Sequence, residues 1–245
     1  GDEVIVSDPV WPVYLGVLGI LEAKPVLITL KEKDGFNMLP SEVEKKITSK
    51  TKVILINSPN NPTGGVMTEE NLEVIAEIAK KKNIFIFSDE SYEKLILSNR
   101  KHLSIGSLPG MRDLTISQFT LSKTYAMTGW RIGFVACNKE ICAPLRKVSL
   151  YTITHVSSIA QKAAIAAITG PQDCVSKMVE AYKSRSEILV KRSSIKKIDY
   201  NGKVFCFSTN TGFFITRRNG KVAIQGNTLR SDTSVLAAAN PKFGR

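Results

Sequence analysis

Hydrophobic residues along the chain gather in short runs separated by longer mixed segments. Six of these runs, EVIVS (3–7), PVLITL (25–30), KVILIN (52–57), IFIFSD (84–89), LTISQF (114–119) and IGFVAC (132–137), are rich in Val and Ile and show little polar alternation. That is the pattern of strands buried on both faces. Helical patterns lie between several of them. LPSEVEKKI (39–47) offers Ser41 as a cap with Glu44 three residues on. MTEENLEVIAEIAKKKN (67–83) offers Thr68 followed by acids and closes on lysines, the polarity that a helix dipole favours. Alternating strands and helices predict an α/β fold: a three-layer α/β/α large domain with a mostly parallel sheet.

After about residue 139 the pattern turns helical, through KEICAPLRKVSLY, SSIAQKAAIAAIT and, past Gly170-Pro171, a long segment to about Arg192. Two short strand candidates follow, KVFCF (203–207) and GFFIT (212–216). The expected organisation is a large domain over 1–170, a truncated α+β small domain over 171–227 and an off-pattern tail over 228–245. With 245 residues and 43% hydrophobic residues the chain can bury one large core, or one core plus a smaller one.

Composition narrows the setting. No apolar run approaches the roughly 20 residues of a membrane span, and GDEVIVSDPV lacks the basic start and long apolar centre of a signal peptide. The expected location is cytoplasmic, with no membrane partner. Cys137, Cys142, Cys174 and Cys206 show no CxxC spacing, and His102 and His155 are far apart, so neither a zinc site nor a disulfide framework is indicated. The formal charge of +12 comes largely from runs such as KKKN (80–83) and KRSSIKK (191–197), without regularly interleaved aromatics. A solvated lysine-rich face explains it, with non-specific adhesion to polyanions but no specific nucleic-acid partner.

In open α/β sheets ligands lie beyond the carboxyl ends of the strands. Three strand ends carry polar groups there: Asn57 leads into SPNNPTGG, Phe87 into SDESY and Phe119 into TLSK. Each has an ordinary explanation. NNPTGG is a turn by composition, Asp89 can cap a helix, Tyr92 can be a half-buried aromatic and Lys123 a surface lysine. Together they suit a pyridine aldehyde phosphate. An amine among small residues can form a Schiff base, a carboxylate can keep a pyridinium nitrogen protonated, and an amide and a phenol can donate to a phenolate oxygen. An arginine eight residues past the lysine, with the Thr120 and Ser122 hydroxyls, can clamp a phosphate.

SPNNPTGGV, SDESYEKL and SKTYAMTGWRIGF, in that order and spacing, resemble the fold-type I, class I pyridoxal-phosphate aminotransferases, closest to the aspartate and aromatic branch. The resemblance runs from Gly1 to about Phe214 and thins out by Gly226. It implies pyridoxal 5'-phosphate as cofactor, Lys123 as the Schiff-base lysine and proton shuttle, Asp89 as partner of the pyridine nitrogen, and Asn61 and Tyr92 as donors to the ring oxygen. It further implies Arg131 and Thr120 as phosphate ligands and Trp11, in SDPVWPVY, as the aromatic stacked on the ring; a core tryptophan is the other reading of Trp11. The implied chemistry is transfer of an amino group between an amino acid, aspartate-like or aromatic, and a 2-oxo acid, in a homodimer.

The chain departs from that family at both ends. Family members usually carry a further segment before the point matching GDEV, with a lid, a phosphate-binding turn and a residue that crosses the dimer interface. After VAIQGNT the chain reads TLRSDTSVLAAANPKFGR, with no counterpart of the arginine that grips the substrate carboxylate; neither Arg230 nor Arg245 has its context. Turnover by these 245 residues alone is therefore expected to be weak. The last eighteen residues resemble a segment of the minichromosome-maintenance helicases, through a fused reading frame or by chance in an alanine-rich stretch. No Walker A loop accompanies them, so ATP hydrolysis is not implied. Beside transamination, a related lyase or racemase chemistry and a non-catalytic, cofactor-sensing effector domain are the alternatives, although no helix-turn-helix pattern appears.

Overall fold

The protein is described here from a computed structural model, covering residues 1–186, 213–218 and 221–226. Eight strands and seven α-helices, with three short 3-10 turns between them, follow one another along these residues. They are β1 (Glu3–Asp8), α1 (Pro12–Ile20), β2 (Lys24–Thr29), α2 (Pro40–Lys46), β3 (Thr51–Asn57), α3 (Glu69–Lys82), β4 (Phe85–Asp89) and β5 (Thr115–Thr120). Then come α4 (Leu121–Thr124), β6 (Gly133–Ala136), α5 (Lys139–Thr152), α6 (Ser158–Thr169), α7 (Asp173–Ser186), β7 (Phe213–Arg218) and β8 (Lys221–Gly226).

Two compact units divide the chain, Gly1–Lys183 and Ser184–Arg245. In the first, six strands form one sheet in the order β2-β1-β3-β4-β5-β6, parallel except for β6, which runs antiparallel to β5. In the second, β7 and β8 pair as an antiparallel ribbon from Phe213 opposite Gly226 to Arg218 opposite Lys221. Phe213–Thr216 of GFFIT thus lie in a strand, whereas Gly212, KVFCF and the tail after Gly226 lie outside the described residues. The segment forming β8 was expected only as a thinning of the family pattern.

Alternation of side chains within the strands distributes the core over both sheet faces. Ile5, Ile54, Ile56 and Ile86 join Val43 of α2 and Leu72, Ile75 and Ala79 of α3 on one face. Val4, Val6 and Leu55 meet Leu18 of α1 on the other, with Tyr14 and Phe87 packed against them. Helices on both faces follow, as the uninterrupted apolar strands predict. Full burial of each such aliphatic side chain contributes about 1.5–3 kcal/mol. A third cluster holds Leu121, Met127 and Ile132 under Ala160 and Ala164 of α6, and so anchors the segment around α4.

The helix starts follow the local chemistry with one correction. Thr68 caps α3, its hydroxyl accepting from the Asn71 amide at 3.3 Å, and the last turn carries Lys80, Lys81 and Lys82. Such a cap contributes about 1 kcal/mol. Ser41 is not the cap of α2: Pro40 occupies the first turn and Leu39 precedes it without a side-chain cap. Proline's fixed φ and missing N–H start the helix one step earlier than a serine cap requires. The helix α1 was not expected from the pattern. Its stretch PVYLGVLGI has no side-chain cap and leaves Val13, Leu15, Val17 and Ile20 exposed. Among the described residues no helix is long and apolar enough to cross a membrane.

Candidate functional site

The site grows from the carboxyl ends of β3, β4 and β5. Parallel pairing sets Asn57 opposite Asp89 and Asp89 opposite Gln118, one row across three strands. Asp89 is 4% exposed, so its carboxylate needs partners within the protein. Tyr14, reaching in from α1, donates its hydroxyl to Oδ2. On Oδ1 the carboxylate accepts from the Ser91 amide at 3.0 Å and the Ser91 hydroxyl at 2.6 Å. The pair of bonds from Ser91 makes a local turn, and Asp89 therefore closes a turn instead of capping a helix. Three of about four acceptor positions are filled, which leaves one for a further donor.

Asn57 ties this end of the sheet to the next loop. Its Nδ2 donates to the Asp89 carbonyl at 3.2 Å, and its Oδ1 accepts from the Asn61 amide at 2.7 Å. Asn61 is thereby held beside Tyr92, its Nδ2 reaching the phenol oxygen at 3.5 Å. Two donors thus end next to each other, where both can address one acceptor oxygen. Burial, then the negative charge of Asp89, pushes the Tyr92 phenol above its ordinary range, and the hydrogen bond from Asn61 only partly offsets this. Tyr92 therefore stays a neutral donor at physiological pH.

Lys123 sits in α4, a single turn that Thr120 caps by accepting from the Ser122 amide at 3.2 Å. Its Nζ stands 5.9 Å from the centre of the Tyr92 ring, within reach of a cation–π attraction. Among the described residues it forms no ion pair, unlike Lys24, Lys45 and Lys80. An amine without a carboxylate partner is available for other chemistry.

Arg131 comes back to the same place through β6. The Leu121 amide donates to the Ile132 carbonyl at 3.2 Å, and Thr120 pairs opposite Gly133. Arg131 itself is left-handed, with φ of 51°, and its Nη1 donates to the Thr128 carbonyl at 2.9 Å. Its guanidinium is exposed and keeps donors to spare. Trp11 precedes α1 and packs edge-on against Tyr14, 5.6 Å between ring centres, so it stands beside the phenol that holds Asp89. A groove of about 770 Å³, lined by Thr120, Thr124, Tyr125 and residues of α7, opens beside the cluster; Lys123 and Asp89 do not line it.

The fold thus links Asp89, Tyr92, Asn61 and Lys123 through adjoining contacts, brings Thr120 and Arg131 to neighbouring backbone positions, and sets Trp11 one residue farther out. Sequence reasoning missed Tyr14, Ser91 and Gln118. Ser91 lies inside SDESY and Tyr14 one helical turn past Trp11, but nothing local marks either as a partner of Asp89.

This donor set fits a phosphorylated pyridine aldehyde. A buried carboxylate keeps one acceptor position, two neutral donors stand side by side, and an unpaired lysine amine lies close by. Comparison with known proteins agrees. Residues 1–235 match the family described as aminotransferase class I and II. A probable aspartate/prephenate aminotransferase of Aquifex aeolicus is 38% identical over 197 residues, 79% of this chain and 50% of that protein. An aspartate aminotransferase of Pyrococcus horikoshii is 38% identical over 218 residues, 86% of this chain and 55% of that protein. The crystal structure of an aromatic aminotransferase from Pyrococcus horikoshii OT3 superposes with a TM-score of 0.74 at 37% identity, over 77% of this chain and 51% of that one. The chain spans about half the length of the curated relatives it matches.

Proposed function

The chain belongs to the class I and II aminotransferase family, and on that premise we propose that its site uses pyridoxal 5'-phosphate to transfer an amino group from an amino acid to a 2-oxo acid. Aspartate-like or aromatic amino acids are the proposed donors, in keeping with relatives named aspartate and aromatic aminotransferases. The observation that carries the reading is the buried Asp89 carboxylate, held by three hydrogen bonds with one acceptor position left, and tied through Asn57 and Asn61 to Tyr92, over whose ring stands the Lys123 amine, which forms no ion pair among the described residues.

When bound, the cofactor supplies an aldehyde for attachment and a ring that takes up electron density. Lys123 offers Nζ for that attachment and afterwards carries a proton to and from the substrate's α-carbon. Asp89 would hold the ring N–H, its carboxylate aimed by Tyr14 and Ser91. Asn61 and Tyr92 would donate to the ring oxygen, Thr120 and Arg131 to the phosphate, and Trp11 would cover the ring. A cytoplasmic homodimer is the proposed assembly; the apolar residues Val13, Leu15, Val17 and Ile20 that α1 leaves exposed support a protein partner there.

The test is chemical. The protein is incubated with pyridoxal 5'-phosphate, reduced with borohydride and digested, and the modified peptide is mapped by mass spectrometry. A single adduct on Lys123, absent in Lys123→Ala, is the expected result. Adducts scattered over many lysines, or none, overturn the reading.

A further inference from the structure

Glu90 follows Asp89 directly and is buried more deeply, at 1% exposure. Successive residues at a strand end face opposite ways, so Asp89 turns to Tyr14 and Glu90 turns to the other side of the sheet. There its Oε2 lies 2.7 Å from Nε2 of His102, and its Oε1 accepts from the Ser104 hydroxyl at 2.8 Å. Ser104 in turn lies 3.5 Å from the Ser117 hydroxyl of β5. Leu103, between the two partners, packs against the core that holds Ile86 and Ile105, so the clasp is anchored in the interior. Both side chains bond the carboxylate and no contact joins the Ser104 hydroxyl to the His102 ring, which is not the order of a nucleophile and its base.

The backbone of Glu90 is equally committed. Its amide donates to the Gln118 carbonyl at 2.9 Å, and its carbonyl accepts from the Glu93 amide at 3.1 Å. Leu95 then donates to the Tyr92 carbonyl at 2.8 Å. One residue therefore ends the pairing of β4 with β5 and starts the turn that carries Tyr92.

We propose that Glu90 is a positioning residue: clasped by His102 and Ser104, it fixes the peptide after Asp89 and so aims Asp89 and Tyr92 into the cofactor site, an inference that rests on the reading above. The test compares wild type, Glu90→Gln and Ser104→Ala with the core variant Val43→Ala, an apolar truncation on α2 that removes no hydrogen bond of the clasp. Amide hydrogen exchange without cofactor is expected to quicken about tenfold at Glu90, Glu93 and Leu95 in Glu90→Gln, and less in Ser104→Ala, with amides of β1 and α3 unchanged. Affinity for pyridoxal 5'-phosphate falls about tenfold in Glu90→Gln, and the pH titration of the bound cofactor's absorbance shifts. Val43→Ala lowers stability and moves neither. Unchanged exchange at those three amides in both site variants, or acceleration spread evenly over β1 and α3, overturns the proposal. If Glu90→Gln does not fold, Ser104→Ala decides by the same criteria. Failure of wild type to form the Lys123 adduct sinks the cofactor reading instead, while the exchange data still decide the clasp.

Discussion

The hydroxyl of Tyr14 donates to Oδ2 of Asp89 across 75 positions of sequence. This bond joins the helix that follows β1 to the end of β4. Burial first, and then the charge of Asp89, push the phenol far above its ordinary range, so Tyr14 keeps its proton and stays a donor. Two aromatic contacts hold the ring in place, Trp11 on one side and Phe87 at 6.1 Å on the other.

Removing that hydroxyl should cost stability and cofactor affinity together. Tyr14→Phe keeps the ring contacts but strips Asp89 of one donor. We expect a loss of roughly 1–2 kcal/mol in denaturant titration, with weaker binding of pyridoxal 5'-phosphate. Unaltered stability and affinity would show that the bond does not matter.

Asp89→Asn separates charge from shape. The amide can keep the Tyr14 contact on its oxygen, but it brings no negative charge to a ring nitrogen. The Lys123 adduct should still form on borohydride reduction, whereas amino-group transfer in a complete site should fall by about 10²- to 10³-fold, the scale of a lost electrostatic partner. Transfer at the wild-type rate would remove Asp89 from the proposed role.

Alkaline pH probes Tyr14 and Tyr92 directly. Both phenols are raised above the ordinary value of 10.0, so the folded protein keeps protons that the unfolded chain releases. Their contribution to stability is fully present below pH 10.0 and is lost as pH rises from there through the folded-state values. The denaturation midpoint should therefore fall as pH rises above about 10, and fall less in Tyr14→Phe and Tyr92→Phe. Equal slopes in all three proteins would contradict the assigned shifts.

How much of this was legible depended on range. The central strands announce themselves, because Ile54, Leu55, Ile56 and Ile86 are buried and need no polar alternation. Thr68 was readable because capping is local. The helix α1 was not: its apolar residues point to both core and surface, as Leu18 is buried while Val17 is exposed, so no period shows. Ser41 looked like a cap only because the pattern does not say whether Pro40 has already begun the helix. In the candidate site, Asn61, Asp89, Tyr92 and Lys123 stand in recognisable turns, whereas Tyr14 earns its place through a contact that chain folding alone creates. Glu90 was passed over for the same reason, since His102 and Ser104 reach it only when the loop folds under the sheet.

Gly133 offers the sharpest steric test. It starts β6 opposite Thr120, and a Cβ added there would stand 2.5 Å from the Phe119 carbonyl oxygen and 3.3 Å from Thr120 Cα. Both obstacles are backbone, so no side chain can swing away to make room. Gly133→Ala must therefore spread β5 from β6, at a cost of about 1–3 kcal/mol. The strain falls where Leu121 bonds to Ile132, the link that brings Arg131 beside Thr120. Phosphate affinity should drop more than stability accounts for, measured by titration with pyridoxal 5'-phosphate and compared with pyridoxal lacking the phosphate. A variant that weakens both ligands equally would place the damage in the core packing of α4, and not in the approach of Arg131 to Thr120.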